Sequence, residues 1–78
     1  MIVREAVGTV LRTQRKAQGM TMRELSESAG ISLGFISEVE RGIKEISSEM
    51  IESWCGTLDI NQSELLLEAA KTLHRSGM

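Results

Sequence analysis

Helix-capping residues recur along this chain at short intervals, and they leave little room for anything but a string of short helices. Thr21 stands three residues before Glu24, the spacing at which each side chain satisfies an orphan backbone amide of the other. Asn61 and Glu64 repeat the arrangement. Ser32 and Ser47 are N-cap residues ahead of further apolar runs. Met20 with Leu25, and Ile46 with Ile51, stand where a hydrophobic staple closes across a cap. Gly19, Gly30 and Gly42 follow the expected helix ends, where positive φ is useful.

Between these marks the apolar residues fall at helical spacing. The pattern predicts a first helix over Arg4–Gln18, with Val7, Val10, Leu11 and Gln14 or Ala17 turned inward. A second follows Thr21 to about Ser28, and a third follows Ser32 to about Arg41. Ile51, Trp54, Cys55 and Leu58 form the inner stripe of a fourth. The fifth covers about residues 62–75. No segment alternates as a strand does, and there is no repeat. The expectation is one all-α domain over residues 1–78.

A chain of 78 residues builds only a modest core and usually needs support from disulfides, a metal, regular packing or a partner subunit. Cys55 is the only cysteine, so no disulfide forms within the chain, and Cys55 with His74 is a poor basis for a zinc site. Regular packing or oligomerisation remains. No apolar run approaches the roughly 20 residues of a membrane span, and no secretory signal opens the chain. A cytoplasmic, reduced setting is expected. Enzyme chemistry is not: His74 is isolated, Cys55 sits on an inner stripe, the serines lack a nearby base, and no G-x-x-x-x-G-K loop occurs. Neither a cofactor nor a small-molecule ligand is implied.

The net charge of −2 is unevenly spread. Residues 1–44 carry seven Lys/Arg against five Asp/Glu, and residues 45–78 carry two against six. The first half could face phosphates while the second faces away. Two ordinary solvated surfaces would read the same.

Residues 22–41 have the layout of a DNA-binding helix-turn-helix: a short helix, a turn with Gly30, and a second helix. Leu25, Ala29, Ile31, Ile36 and Val39 suit its inner side. A generic αα-hairpin shares these features. The run RTQRKAQGMTMRELSESAGISLGFISEVERG, with MIESWCGTLDI and NQSELL after it, resembles the Cro/cI-type (XRE) repressor domain across nearly the whole chain. Arg15, Gly19, Leu25, Gly30, Ile36 and the Glu40-Arg41-Gly42 run match that pattern. SLGFISEVERGIKEISSEM is similar to the actinobacterial ClgR-like regulators of Clp protease genes. Three features depart from the wider family: Met22 where many members have Gln, Ser26 for Ala, and no Pro ahead of the fourth helix.

The resemblance implies a sequence-specific regulator of transcription with its third helix in the major groove of double-stranded DNA. Ser32, Leu33, Gly34, Ser37 and Glu38 would then face bases. Ser32 serves as N-cap or touches a phosphate. Leu33 meets a thymine methyl or packs on the second helix. Gly34 allows close approach or is a tolerated defect. Glu38 accepts from cytosine or pairs with Arg41 or Lys44. Arg12, Thr21, Met22, Arg23, Phe35, Arg41 and Lys44 are the candidates for the phosphate side. Phe35 is expected to be partly buried. The resemblance also implies that Arg15 and Glu40 pair beneath the turn.

Leu66, Leu67, Ala69, Ala70 and Leu73 give the fifth helix more apolar width than a small globule needs. They predict a homodimer, suited to a palindromic operator. A single monomer core would use the same residues. The competing functional class is an antitoxin or protein–protein adaptor on the same fold.

Overall fold

Five helices, α1 (Val3–Ala17), α2 (Met22–Ala29), α3 (Leu33–Glu40), α4 (Ser48–Leu58) and α5 (Gln62–Gly77), make up the computed structural model, which describes residues 1–77. No strand occurs among the described residues, and the fold is the all-α one expected. Helix ends differ from expectation by one or two residues. No helix among the described residues is long and apolar enough to cross a membrane.

Local chemistry explains where the helices begin. Thr21 Oγ1 accepts from the Glu24 amide at 3.0 Å, and Glu24 Oε1 accepts from the Thr21 amide at 2.9 Å. Ser32 and Ser47 accept from the amides of Phe35 (3.2 Å) and Met50 (3.1 Å). Two starts differ. At α1 there is no cap side chain, and Glu5 reaches back to the Ile2 amide at 2.9 Å. At α5, Asn61 and Glu64 meet side chain to side chain, Nδ2 donating to Oε1 at 2.9 Å, in place of the expected reciprocal box.

The ends of α1, α3 and α4 share a single solution. After α3, the Ile43 amide donates to Glu38 O (2.8 Å) and the Gly42 amide to Val39 O (3.0 Å), with Gly42 at φ 76°. This pairing satisfies two of the carbonyls a helix leaves open. α1 ends in the same way at Gly19. α4 does so at Asp59, φ 55°, a short polar residue that tolerates the left-handed region.

α1 packs on α3 and α5, α2 on α3 and α4, and α4 on α5. Trp54, Leu11, Leu25, Ile36, Leu58 and Leu65 are fully buried between them. The inner side of α1 departs from expectation in its last turn, where Ala17 is exposed and Arg15 is buried. α5 is a larger correction. Leu65 and Ala69 are buried and Leu73 packs half-buried against the core. Ala69 therefore belongs to the monomer and is not available to a subunit interface, whereas Leu66, Leu67 and Ala70 are exposed. Three successive leucines sweep more than half the circumference of a helix, and only Leu65 is in i, i+4 register with Ala69 and Leu73.

One packing residue escaped sequence reasoning. At the α1–α3 crossing, a Cβ on Gly8 would lie 2.1 Å from the carbonyl oxygen of Val39. Only a glycine lets the two backbones approach so closely.

Candidate nucleic-acid interface

The turn between α2 and α3 fixes the candidate reading helix. Gly30 takes φ 70°, and the amides of Gly30 (3.0 Å) and Ile31 (3.3 Å) both donate to Ser26 O. The Ser26 hydroxyl donates to Ile31 O. Ser26, a departure from the family pattern, thus ties the turn through both its backbone and its side chain. Leu25, Ile31, Ile36 and Val39 are buried beneath it.

With Ile36 and Val39 turned in, α3 presents its N-terminal end outward. Ser32, Leu33 and Gly34 are exposed, Leu33 at 39%, while Ser37 and Glu38 are half-buried. Glu38 forms no ion pair with Arg41 or Lys44 among the described residues. Its backbone carbonyl is engaged in the Gly42 turn, but its carboxylate is not so used.

At the other end of α3 is a buried ion pair. Arg15 Nε donates to Glu40 Oε2 at 2.7 Å and Nη2 to Oε1 at 2.9 Å, a bidentate fork. Arg15 Nη1 donates to Met20 O at 2.7 Å. The residues are 7% and 8% exposed. The Glu40 hydrogen bonds raise the Arg15 pKa above its ordinary value, with burial opposing and the Glu40 charge adding. Such a pair adds little net stability because desolvation offsets the attraction, but it ties α1, α3 and the α1–α2 turn to one geometry.

A second contact, just beyond α3, was not foreseen. Arg4 Nε donates to Gly42 O at 2.7 Å, and Arg4 Nη1 lies 3.6 Å from Glu45 Oε1. The first turn of α1 thereby holds the segment that follows α3. Nothing in local spacing signals a bond across 38 residues.

The basic candidates are Arg12, Arg23, Arg41 and Lys44, all exposed and without an ion-pair partner among the described residues. Arg12 and Arg41 come together on a shallow groove that also includes Met22, Ser37 and the paired Arg15 and Glu40. Arg12 borders a second groove with Lys16, which sequence reasoning passed over. Arg23 and Lys44 line neither. Thr21 is engaged in its cap, and Met22 is half-buried at the start of α2. Phe35 packs half-buried against the core, and its amide donates to Ser32 Oγ. Phe35 is partly buried as expected, and its ring offers no hydrogen-bond donor.

Cys55 is buried, and burial pushes its thiol pKa up. It is a small core residue.

Comparisons with known proteins agree with this geometry. A helix-turn-helix family model, HTH_3, matches residues 11–65. The transcriptional regulator ClgR of Mycobacterium tuberculosis is 49% identical over 74 residues, covering 95% of this chain and 66% of that protein. The chain therefore spans just under two thirds of that relative's length. The crystal structure of the clp gene regulator ClgR from Corynebacterium glutamicum superposes with a TM-score of 0.96 at 42% identity, covering 99% of this chain and 82% of that one. SinR, a master regulator for biofilm formation solved in complex with DNA, superposes with a TM-score of 0.74 at 30% identity, covering 77% of this chain and 97% of that one. Relatives that are transcriptional regulators do not favour the antitoxin or adaptor alternative. By the match over residues 11–65 and the fold around it, the chain belongs to the HTH_3 helix-turn-helix family, of the XRE type, together with its ClgR relatives.

Proposed function

We propose that this chain is a sequence-specific regulator of transcription that places α3 in the major groove of double-stranded DNA. The observation that carries this reading is the two-sidedness of α3. Ile36 and Val39 are sealed in the core while Ser32, Leu33 and Gly34 stand free at its N-terminal end, the end that faces bases in this motif. That SinR, 30% identical, was solved in complex with DNA supports DNA as the partner.

Division of labour follows from chemistry. Ser32, Leu33, Gly34, Ser37 and Glu38 read base edges, and Arg12, Arg23, Arg41 and Lys44 neutralise phosphates. The groove shared by Arg12 and Arg41 adjoins the first turn of α2, where the free amide of Met22 and the helix dipole favour an anion. The protein works by occupying DNA rather than by catalysis, and its setting is the cytoplasm. Leu66, Leu67 and Ala70 remain bare on α5, and we assign them to a homodimer. Two-fold symmetry then suits a palindromic operator with half-sites about one helical turn apart.

The test is selection of bound duplexes from a random library, followed by fluorescence anisotropy across a salt series. The expected result is one recurrent motif with inverted repeats, bound with affinity that falls steeply as salt rises. Recovery of no common motif would overturn the reading.

A further inference from the structure

Glycine is usually retained in a fold for one of two reasons, and Gly34 has neither. Gly19, Gly30 and Gly42 have positive φ; Gly34 does not. Gly8 and Gly42 sit where a Cβ would collide with a neighbour. A Cβ on Gly34 would meet nothing within 4 Å; the same is true of Gly56 on α4 and Gly77 at the end of α5, but of the three only Gly34 lies in the helix-turn-helix. Alanine is the better helix former, so the free protein gains nothing from the missing methyl. The gap lies on the outward N-terminal face of α3, beside Leu33, an exposed large apolar side chain.

We propose that the bare backbone of Gly34 and the flank of Leu33 form a receptacle for one thymine C5-methyl in the major groove. The inference rests on α3 being the reading helix. The thymine methyl is the one apolar group that base pairs present in that groove, and apolar side chains are its usual contact. Leu33 supplies an apolar wall. The absent Cβ supplies the space, letting the helix backbone close on the base edge. Filled by a protein methyl, that space cannot also take the DNA methyl.

The experiment uses the full chain and the duplex it selects from a random library. Each thymine is replaced in turn by deoxyuridine, which keeps base pairing and removes only the methyl. Wild type should lose about 4-fold in affinity at one thymine per half-site, the value of one buried methyl group. Gly34→Ala should bind the thymine duplex about 10-fold more weakly, yet melt at the same temperature or higher. On the duplex with deoxyuridine at that position, Gly34→Ala should recover affinity, reversing the wild-type preference. The proposal is overturned if Gly34→Ala binds like wild type, or if its loss is equal on thymine and deoxyuridine duplexes. Failure of wild type to select any duplex would instead sink the reading of α3 itself, and this inference with it.

Discussion

α3 and α5 each turn one side into the same core and leave the other bare, but they are held by different forces. α3 is fixed by directional contacts at both ends: the Ser32 cap, the Arg15–Glu40 fork, and the Arg4 bond to Gly42 just beyond it. Gly8 brings it backbone to backbone against α1. α5 rests on Leu65, Ala69 and Leu73, and no hydrogen bond ties its side chains to another helix among the described residues. The bare faces differ in kind as well. That of α3 mixes Ser32, Ser37 and Glu38 with the single apolar Leu33 and is flanked by Arg12 and Arg41; that of α5 carries adjacent leucines near Glu64 and Glu68, in the acidic half of the chain. A helix that must present donors to a rigid duplex needs its rotation and translation fixed to hydrogen-bond tolerance. A helix that offers apolar surface to another protein can accept small slips, because hydrophobic contact is not directional.

The strongest way to break this contrast is to cut the fork. Arg15→Ala leaves Glu40 as an uncompensated buried carboxylate and should cost about 3–5 kcal/mol in urea unfolding. The double change Arg15→Met with Glu40→Leu removes both charges and should recover most of that loss. If the fork serves α3's alignment more than stability, the double variant should still bind its operator less well than wild type. Equal loss of stability in the single and double variants would show that the ion pair itself stabilises the fold.

Gly8→Ala attacks the same helix through packing. Alanine would improve helix propensity by about 1 kcal/mol, but its methyl would sit 2.1 Å from a backbone oxygen that cannot rotate away. α1 and α3 must part, and a net loss of about 1–3 kcal/mol is expected. A neutral result in thermal unfolding would mean that the crossing yields easily, and that α3 is less rigidly set than argued.

These two sites also mark the limit of sequence legibility. Caps and turns were legible because their chemistry lies within a few residues: Thr21 with Glu24, Ser32 with Phe35, and glycine at the ends of α1 and α3. The Arg15–Glu40 pair came only through family resemblance, since nothing near either residue points to the other. Gly8 and Arg4 gave no signal, as each matters through a partner more than 30 residues away. On α5 the leucine run 65–67 was ambiguous in phase, so Ala69 was placed on the subunit face although it lies in the core, with Leu73 half-buried beside it. Asp59 shows the same limit for turns: it closes α4 in a conformation that sequence reasoning looks for at glycine.

The α5 side of the comparison is sharpened by Leu66→Ala. Leu66 is 58% exposed, so monomer stability should move by less than about 0.5 kcal/mol. Self-association should weaken by about 1–2 kcal/mol if Leu66 is covered in a dimer. Sedimentation equilibrium at several concentrations separates the two effects. An unchanged monomer–dimer balance would remove this face from the interface.

Arg41→Ala tests the groove beside α3. Loss of one phosphate contact should lower the slope of log affinity against log salt by about one unit, equally on operator and scrambled duplexes. A change confined to the operator would make Arg41 a base reader instead.

The smallest effect is expected at the start of α2, which sets how the chain enters the helix-turn-helix. The Thr21 amide, and then its hydroxyl, hold the Glu24 carboxyl below its ordinary pKa. A carboxyl depressed on folding contributes stability that is fully present above its unfolded pKa and is lost as pH falls through the folded one. Glutamine at this position can still accept from the Thr21 amide and complete a capping box, but it carries no charge for the helix dipole. Glu24→Gln should therefore melt slightly below wild type near neutral pH, with the gap narrowing as pH drops through and below the carboxylate range. Glu24 is exposed, so added salt should shrink the gap at neutral pH as well. Paired thermal melts across a pH series, at low and high salt, measure both trends. A gap that persists unchanged into acid would mean that the box acts through geometry alone, and that charge at α2's first turn has no part in placing α3.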